Sequence, residues 1–407
     1  MVARWLRGTL AASFVLVAGF VAAQDLTADQ KKEVLDGLKN VLETRAFVPG
    51  IDFKKWSEFV EKQKEAIERA NTVEIFASQV NRSLREFGLS HIRLATPRAT
   101  SRRGQTTATG VGVTTERADE GLRVRGVAPQ GPAKEVGLEA GDVITKVNGA
   151  KPDTSTALEG DAGAKLTLEV KKASGEVKTI EVERKVYSTV RKETLTYPDP
   201  DVACLKVFTF SAGYGRENVE TLLKEAAKSK YLILDLRSNG GGAVNNLNHL
   251  LSLLMPDGTP YGTFLSRRTV DDYLKAMPEG PLDPVKIAEW APNKTKTRKR
   301  AVEPYAGKIA VLINRGSGSA SEITAAALRE SRSAILLGSK SAGAVLASTY
   351  GRLPHGFSVQ YPVSDYVTAK GMRLEKNPLA PDIEVVGTAQ GDEDPVVKKA
   401  VEALKKD

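Results

Sequence analysis

Ser319 stands in the run Arg315-Gly316-Ser317-Gly318-Ser319-Ala320-Ser321-Glu322, between a continuous apolar stretch and an alanine-rich helical pattern. A hydroxyl placed there faces a helix N-terminus, where unpaired backbone N–H groups carry partial positive charge. Such a place stabilises a developing oxyanion and suits a serine to acyl transfer. The same residues also have a reading without chemistry, because Ser319-x-x-Glu322 is a capping box that satisfies orphan helix donors. A second segment, Asp235-Leu236-Arg237-Ser238-Asn239-Gly240-Gly241-Gly242, is a glycine-rich turn where only backbone approaches a ligand closely. It lacks the Gly-Lys-Ser/Thr ending of a phosphate loop.

The elements that must hold these turns are legible in the apolar patterning. Tyr231 to Leu236, Lys308 to Asn314 and Ala334 to Gly338 read as buried strands, and Val244 to Leu254 and Glu322 to Arg329 as helices. Strand alternating with helix predicts an α/β core, over 191–390, with a largely parallel central sheet. The stretch from Pro256 to Tyr305 reads as irregular, and 391–407 as a C-terminal helix. Between Thr27 and Phe87 apolar residues recur at three and four, so 24–105 is expected to be a helical region ending in a polar linker from Arg98 to Thr109.

From Gly110 the pattern turns to short strands between glycine turns. The Gly110-Val111-Gly112-Val113 loop, Gly131-Pro132-Ala133 opening a short helix to Gly137-Leu138, and Gly141-Asp142-Val143-Ile144 running to Val147-Asn148-Gly149 resemble a PDZ domain over 106–190. The resemblance implies that Gly110, Val111, Gly112 and Val113 receive a peptide carboxylate while the next strand pairs with the peptide. The spacing between Gly149 and Leu166 is short, so the second PDZ helix is expected to shrink to residues near Thr156 to Glu159.

Composition narrows the remaining possibilities. Arg4 and Arg7 precede an apolar run from Leu10 to Val21 and the small residues Val21-Ala22-Ala23, which reads as a signal peptide over 1–23. The run is too short for a stable membrane span. Export, to a periplasmic or extracellular site, is the expectation. The formal charge is +9, with a basic cluster at Lys294, Lys296, Arg298, Lys299 and Arg300. No aromatic residue interleaves it, so it reads as a solvated loop rather than a nucleic-acid surface. Cys204 is the only cysteine and lies in an apolar run, so no internal disulfide forms and a buried, inert thiol is expected. The histidines His91, His249 and His355 have no metal-ligand spacing, and no metal or cofactor is expected.

Taken together, the Asp-Leu-Arg-x-Asn-x-Gly-Gly turn, the Ser-x-Ser-Ala-Ser-Glu turn, Pro381-Asp382-Ile383-Glu384-Val385 and the preceding PDZ pattern resemble the C-terminal processing (tail-specific) serine peptidases from Leu89 to Val386. The resemblance implies a ClpP/crotonase-like α/β core, Ser319 as nucleophile, and an oxyanion hole at Gly241, Gly242 and Ala320. It further implies a serine-type endopeptidase whose partners are protein or peptide substrates with free C-termini, exported or unfolded. One position departs. The family's basic lysine falls on Ala344 and its glutamine on Ser348, and an alanine accepts no proton. Lys340, Lys206 and His91 are the bases on offer. In the tricorn-type relatives, which pair serine with histidine and glutamate, the glutamate falls near Glu375 and the histidine on the Val202 to Val207 strand, where this chain has Lys206. Without a base, the alternative is an inactive PDZ scaffold that binds peptides.

Overall fold

The computed structural model describes residues 26–385, 387 and 393–406; the expected signal segment and its cleavage point after Ala23 lie outside them. The apolar runs form a six-stranded sheet in the order Ile383–Glu384, Ile335–Gly338, Lys308–Ile313, Tyr231–Asp235, Val202–Lys206 and Thr194–Asp199. Neighbours are parallel except at the last pair, which is antiparallel. Every residue of Tyr231–Asp235 is buried because both faces are covered. One face receives the helices Val244–Ser252 and Ala320–Arg332, whose Leu247, Leu250, Ile323 and Leu328 join Leu234 and Val311 in the main core. The other receives Pro395–Lys405 through Val396, Ala400 and Leu404, one stripe at a spacing of four.

Beside it lies an antiparallel sheet in which Ser358–Thr368 pairs with Arg93–Ala95, Pro260–Ser266 and Ala347–Arg352. Here the expectation of an irregular Pro256 to Tyr305 is corrected. That stretch contains the strand Pro260–Ser266 and the helices Arg267–Ala276 and Pro284–Trp290. The first helix buries only Val270 and Tyr273, so its stripe is too sparse to stand out in sequence. The linker is likewise more ordered than its composition suggests: Thr96 caps a helix Pro97–Arg102, and Thr107–Gly110 pairs with Lys185–Ser188.

The N-terminal helix Ala28–Thr44 opens on a capping box between Thr27 and Gln30. Its Val34, Leu38 and Leu42 share a core with Phe76, Val80 and Leu84 of the helix Val73–Arg85. The PDZ region is a five-stranded antiparallel sheet around Leu122, Ile144, Leu168 and Val182, with the short helix Pro132–Glu135. Its second helix is a single 3₁₀ turn, Ser155–Leu158. No described helix is long and apolar enough to cross a membrane.

Candidate active site

In the parallel sheet Asp235 lies opposite Leu312, so the glycine turn and the serine turn leave neighbouring strands at their carboxyl ends. Crevices at such ends are the usual ligand sites of parallel sheets. A cleft of about 730 Å³ opens here, with Ser319, Ala320, Gly241, Gly242 and His91 among its walls.

Ser319 adopts φ 54°, ψ −116°, whereas the α-helix caps Thr27, Thr72, Thr96 and Ser266 are extended. A side-chain-bearing residue at positive φ is strained, and ordinary caps have no need of that strain. Glu322 does fulfil its part of the capping box, accepting the Ser319 N–H at 3.0 Å. The same N–H also points at the Ala344 carbonyl, 3.0 Å away. Glu322 does more than cap. Fully buried, it accepts the Ser341 hydroxyl at 2.5 Å and the Gly343 and Ala344 N–H groups at 2.7 and 3.0 Å. Burial pushes its carboxyl above the usual range while these donors pull it back part of the way. One carboxylate therefore ties the serine turn to the loop 341–344.

The glycine turn is pinned by Asn239, whose amide donates to the Val207 carbonyl at 2.9 Å and accepts the Gly241 N–H at 3.0 Å. That bond corrects one expected donor: the Gly241 N–H is already engaged. Among the described residues the Gly242 and Ala320 N–H groups have no partner within the protein, and both residues face the cleft. Gly241 contributes by its smallness. At φ +93°, a Cβ on it would lie 2.8 Å from both the Ser319 Cβ and the Gly318 carbonyl oxygen. Gly241→Ala is therefore expected to displace Ser319, destabilising the fold by about 1–3 kcal/mol; chemical denaturation read against an unchanged m-value checks it.

The proposed bases separate cleanly. Lys206 pairs with buried Asp235 at 2.8 Å, and Lys340 is exposed; neither lines the cleft. Among the described residues, His91 is, apart from Tyr350, the one titratable side chain in the lining. It precedes the strand Arg93–Ala95, at φ 55°. Its Nδ1 lies 2.7 Å from the Ser90 hydroxyl, which in turn donates to Glu375 at 2.8 Å. Glu375, buried, also accepts the N–H groups of Ser90 and Val345 at 2.8 Å each. A hydroxyl has one proton, and an ionised carboxylate only accepts, so Ser90 gives its proton to Glu375 and accepts from His91 Nδ1–H. By this hydrogen-bond logic Nε2 is left as the acceptor nitrogen. Burial holds the imidazole below its ordinary pKa, with the Glu375 charge opposing weakly.

Ser90 is a residue that sequence reasoning passed over; its only signal is adjacency to His91. Ser348, at the place of the family's glutamine, instead accepts the Gln360 amide at 2.9 Å across two strands, and both line the cleft. His249 is buried between Tyr214 and Glu220, and His355 pairs with Glu33 at the surface. Burial pushes the Cys204 thiol up to about 12, as expected of an inert one.

A groove of about 830 Å³ in the PDZ region is lined by Gly110 to Val113, Leu158 and, from the linker helix, Arg102. The tight loop requires glycine. A Cβ on Gly112, at φ +84°, would meet the Gly131 Cα at 2.8 Å.

Residues 201–385 match the pattern of peptidase family S41, and residues 109–184 that of the PDZ domain. The chain is 28% identical over 254 residues to the tail-specific protease of Haemophilus influenzae, covering 58% of this chain and 33% of that one. It is 25% identical over 286 residues to the carboxy-terminal processing protease CtpA of Bacillus subtilis, covering 68% and 55%. A probable CtpA-like serine protease of Staphylococcus epidermidis is 24% identical over 284 residues, covering 68% and 53%. This chain thus spans about half, or less, of the length of such curated relatives. Its fold is similar to the photosystem II D1 C-terminal processing protease (TM-score 0.52, 20% identity, 94% of this chain and 98% of that one). It is similar also to the tricorn protease (TM-score 0.52, 16% identity, 92% and 36%). With its serine and glycine turns side by side on a parallel sheet and a PDZ domain set before them, the chain carries the peptidase family S41 pattern over residues 201–385.

Proposed function

We propose that this protein is a serine endopeptidase, acting outside the cytoplasm on polypeptides with exposed, unfolded C-termini, and that His91 takes the part of the absent lysine. The observation that carries this reading is the Glu375–Ser90–His91 chain, which leaves Nε2 as the acceptor in the cleft it shares with Ser319. Ser319 Oγ attacks the scissile carbonyl carbon as His91 Nε2 takes its proton. The Gly242 and Ala320 N–H groups receive the oxyanion. Collapse breaks the C–N bond, and the imidazolium gives its proton to the leaving amine. Water, deprotonated by the same nitrogen, attacks the acyl carbon; the C–Oγ bond breaks and the imidazolium returns its proton to Ser319. Glu375, through Ser90, fixes the tautomer and balances the imidazolium charge. The PDZ groove holds the substrate's carboxylate end, with Arg102 supplying positive charge.

The test uses the full chain and an unfolded protein substrate. Cleavage is expected, together with labelling of Ser319 by a fluorophosphonate. Only neutral His91 accepts a proton, so kcat/KM should rise with pH through its pKa, and burial sets the midpoint below the ordinary histidine value of about 6.5. A peptide amidated at its C-terminus should bind the groove more weakly than the free acid. Neither cleavage nor labelling across that pH range would overturn the enzymatic reading and leave a peptide-binding scaffold.

A further inference from the structure

The basic cluster at Lys294 to Arg300 has no part in the site above, yet its second half is not a loose loop. Thr297 is buried, donating its hydroxyl to the Pro256 carbonyl at 2.6 Å and its N–H to the Thr259 carbonyl at 3.0 Å. The Arg298 N–H donates to the Ser252 hydroxyl at 2.9 Å. Val302 and Tyr305, both buried, anchor the far side. The segment between these anchors walls a cavity of about 570 Å³, lined by Arg298, Lys299, Arg300 and Arg332 against only two carboxylates, Asp257 and Glu303.

None of these cations has a carboxylate within 4.0 Å among the described residues. Arg332 spends its guanidinium on the carbonyls of Leu254, Tyr305, Ala306 and Gly307, at 2.5 to 3.1 Å. Carbonyls satisfy its donors without cancelling its charge. The Arg300 Nε is buried with no acceptor at all, a position that normally has a partner. A concave wall with four cations and two anions is arranged for an anion from outside the chain.

We propose that this cavity binds a phosphate monoester, with Arg300 and Arg298 as its principal ligands. The lining carries two more cations than anions, which matches a phosphoryl dianion better than a single carboxylate. Guanidinium forks suit phosphate oxygens geometrically. The volume is far greater than one phosphate ion fills, so the organic part of the ester is held as well. A soluble phosphate ester and a lipid with a phosphomonoester headgroup share this chemistry.

Three probes test the proposal on the full chain at fixed ionic strength: inorganic phosphate, glycerol 3-phosphate, and phosphatidylcholine vesicles with and without phosphatidic acid. Phosphate and glycerol 3-phosphate should raise the melting temperature saturably, the ester more strongly. Arg300→Gln should weaken the apparent affinity about tenfold or more while leaving peptide cleavage unchanged. Co-sedimentation with phosphatidic acid vesicles alone, lost in the same variant, would assign a lipid source, whereas glycerol 3-phosphate binding without vesicle binding would assign a soluble one. Should Arg300→Gln not fold, Arg298→Gln combined with Lys299→Gln alters two exposed residues and asks the same question. No response to any probe, or equal responses in the wild type and a folded variant, would overturn the site. Because cleavage is measured separately, failure here leaves the peptidase reading standing.

Discussion

Ser319→Ala and His91→Gln, made separately, are each expected to abolish most turnover of an unfolded substrate, and the double variant to be no worse than the more damaged single one. Loss of a general base costs about 10²- to 10⁴-fold. Groups that act as one unit are grossly non-additive, because removing either disables the same proton transfer. The two variants also separate in a second readout. Ser319→Ala removes the atom that a fluorophosphonate labels; His91→Gln leaves the hydroxyl in place and slows labelling by about the same factor as cleavage. Glutamine in place of His91 keeps a hydrogen-bonding side chain beside Ser90 while removing the basic nitrogen, so folding should be retained. Full activity in His91→Gln would return the question of the base to Lys340 or Lys206, even though Lys206 is held by Asp235 at 2.8 Å. Ser90→Ala should fall between wild type and His91→Gln, since it breaks the link to Glu375 and frees the imidazole to take the wrong tautomer.

The parts of this molecule that sequence made legible are those whose signal is local. The buried run at Tyr231 to Asp235, the Ser319 turn and the glycine turn each sit within a few residues of the pattern that announces them. Their adjacency follows from strand order in a parallel sheet, which the family resemblance supplied. The base proposed above was hidden for the opposite reason. His91 and Glu375 are 284 positions apart in the chain, and Ser90, a residue without any motif of its own, joins them. The tricorn-type resemblance points to a different strand from the one that His91 precedes. It led to Lys206 on Val202–Lys206, but that side chain neutralises buried Asp235, whose carboxylate also takes Arg237 at 2.7 Å. The engagement of the Gly241 N–H is not legible in sequence, because nothing in a glycine run reveals that the preceding Asn239 side chain turns back onto it. The missed strand and helices of 260–290 have sparse burial, and only pairing with Ser358–Thr368 makes their pattern visible.

Glu322→Ala is expected to be as damaging to activity as the loss of His91, although Glu322 touches no substrate. Four donors converge on it: the N–H groups of Ser319, Gly343 and Ala344, and the Ser341 hydroxyl. Alanine leaves the Gly343 and Ala344 N–H groups and the Ser341 hydroxyl without this acceptor, while the Ser319 N–H keeps only the Ala344 carbonyl, itself on the loop that has been released. Unmet buried donors cost about 1–3 kcal/mol each. Relaxation and water entry lower that sum, so a net loss of about 3 kcal/mol or more is the expected result in denaturant unfolding. Glu322→Gln distinguishes the carboxylate from mere packing. With its oxygen kept toward Ser319 and Ala344, the amide NH₂ must face the Gly343 N–H, donor against donor, while the Ser341 hydroxyl can rotate to accept. Stability should therefore drop less than in Glu322→Ala, yet Gly343 is pushed away and the loop 341–344 shifts against the serine turn. Because Val345, the next residue, donates to Glu375 at 2.8 Å, that shift reaches the relay behind His91. The expected signature is a fall in kcat with KM nearly unchanged, at a temperature where the variant is fully folded. A Glu322→Gln protein with wild-type kcat would reduce Glu322 to an ordinary helix cap.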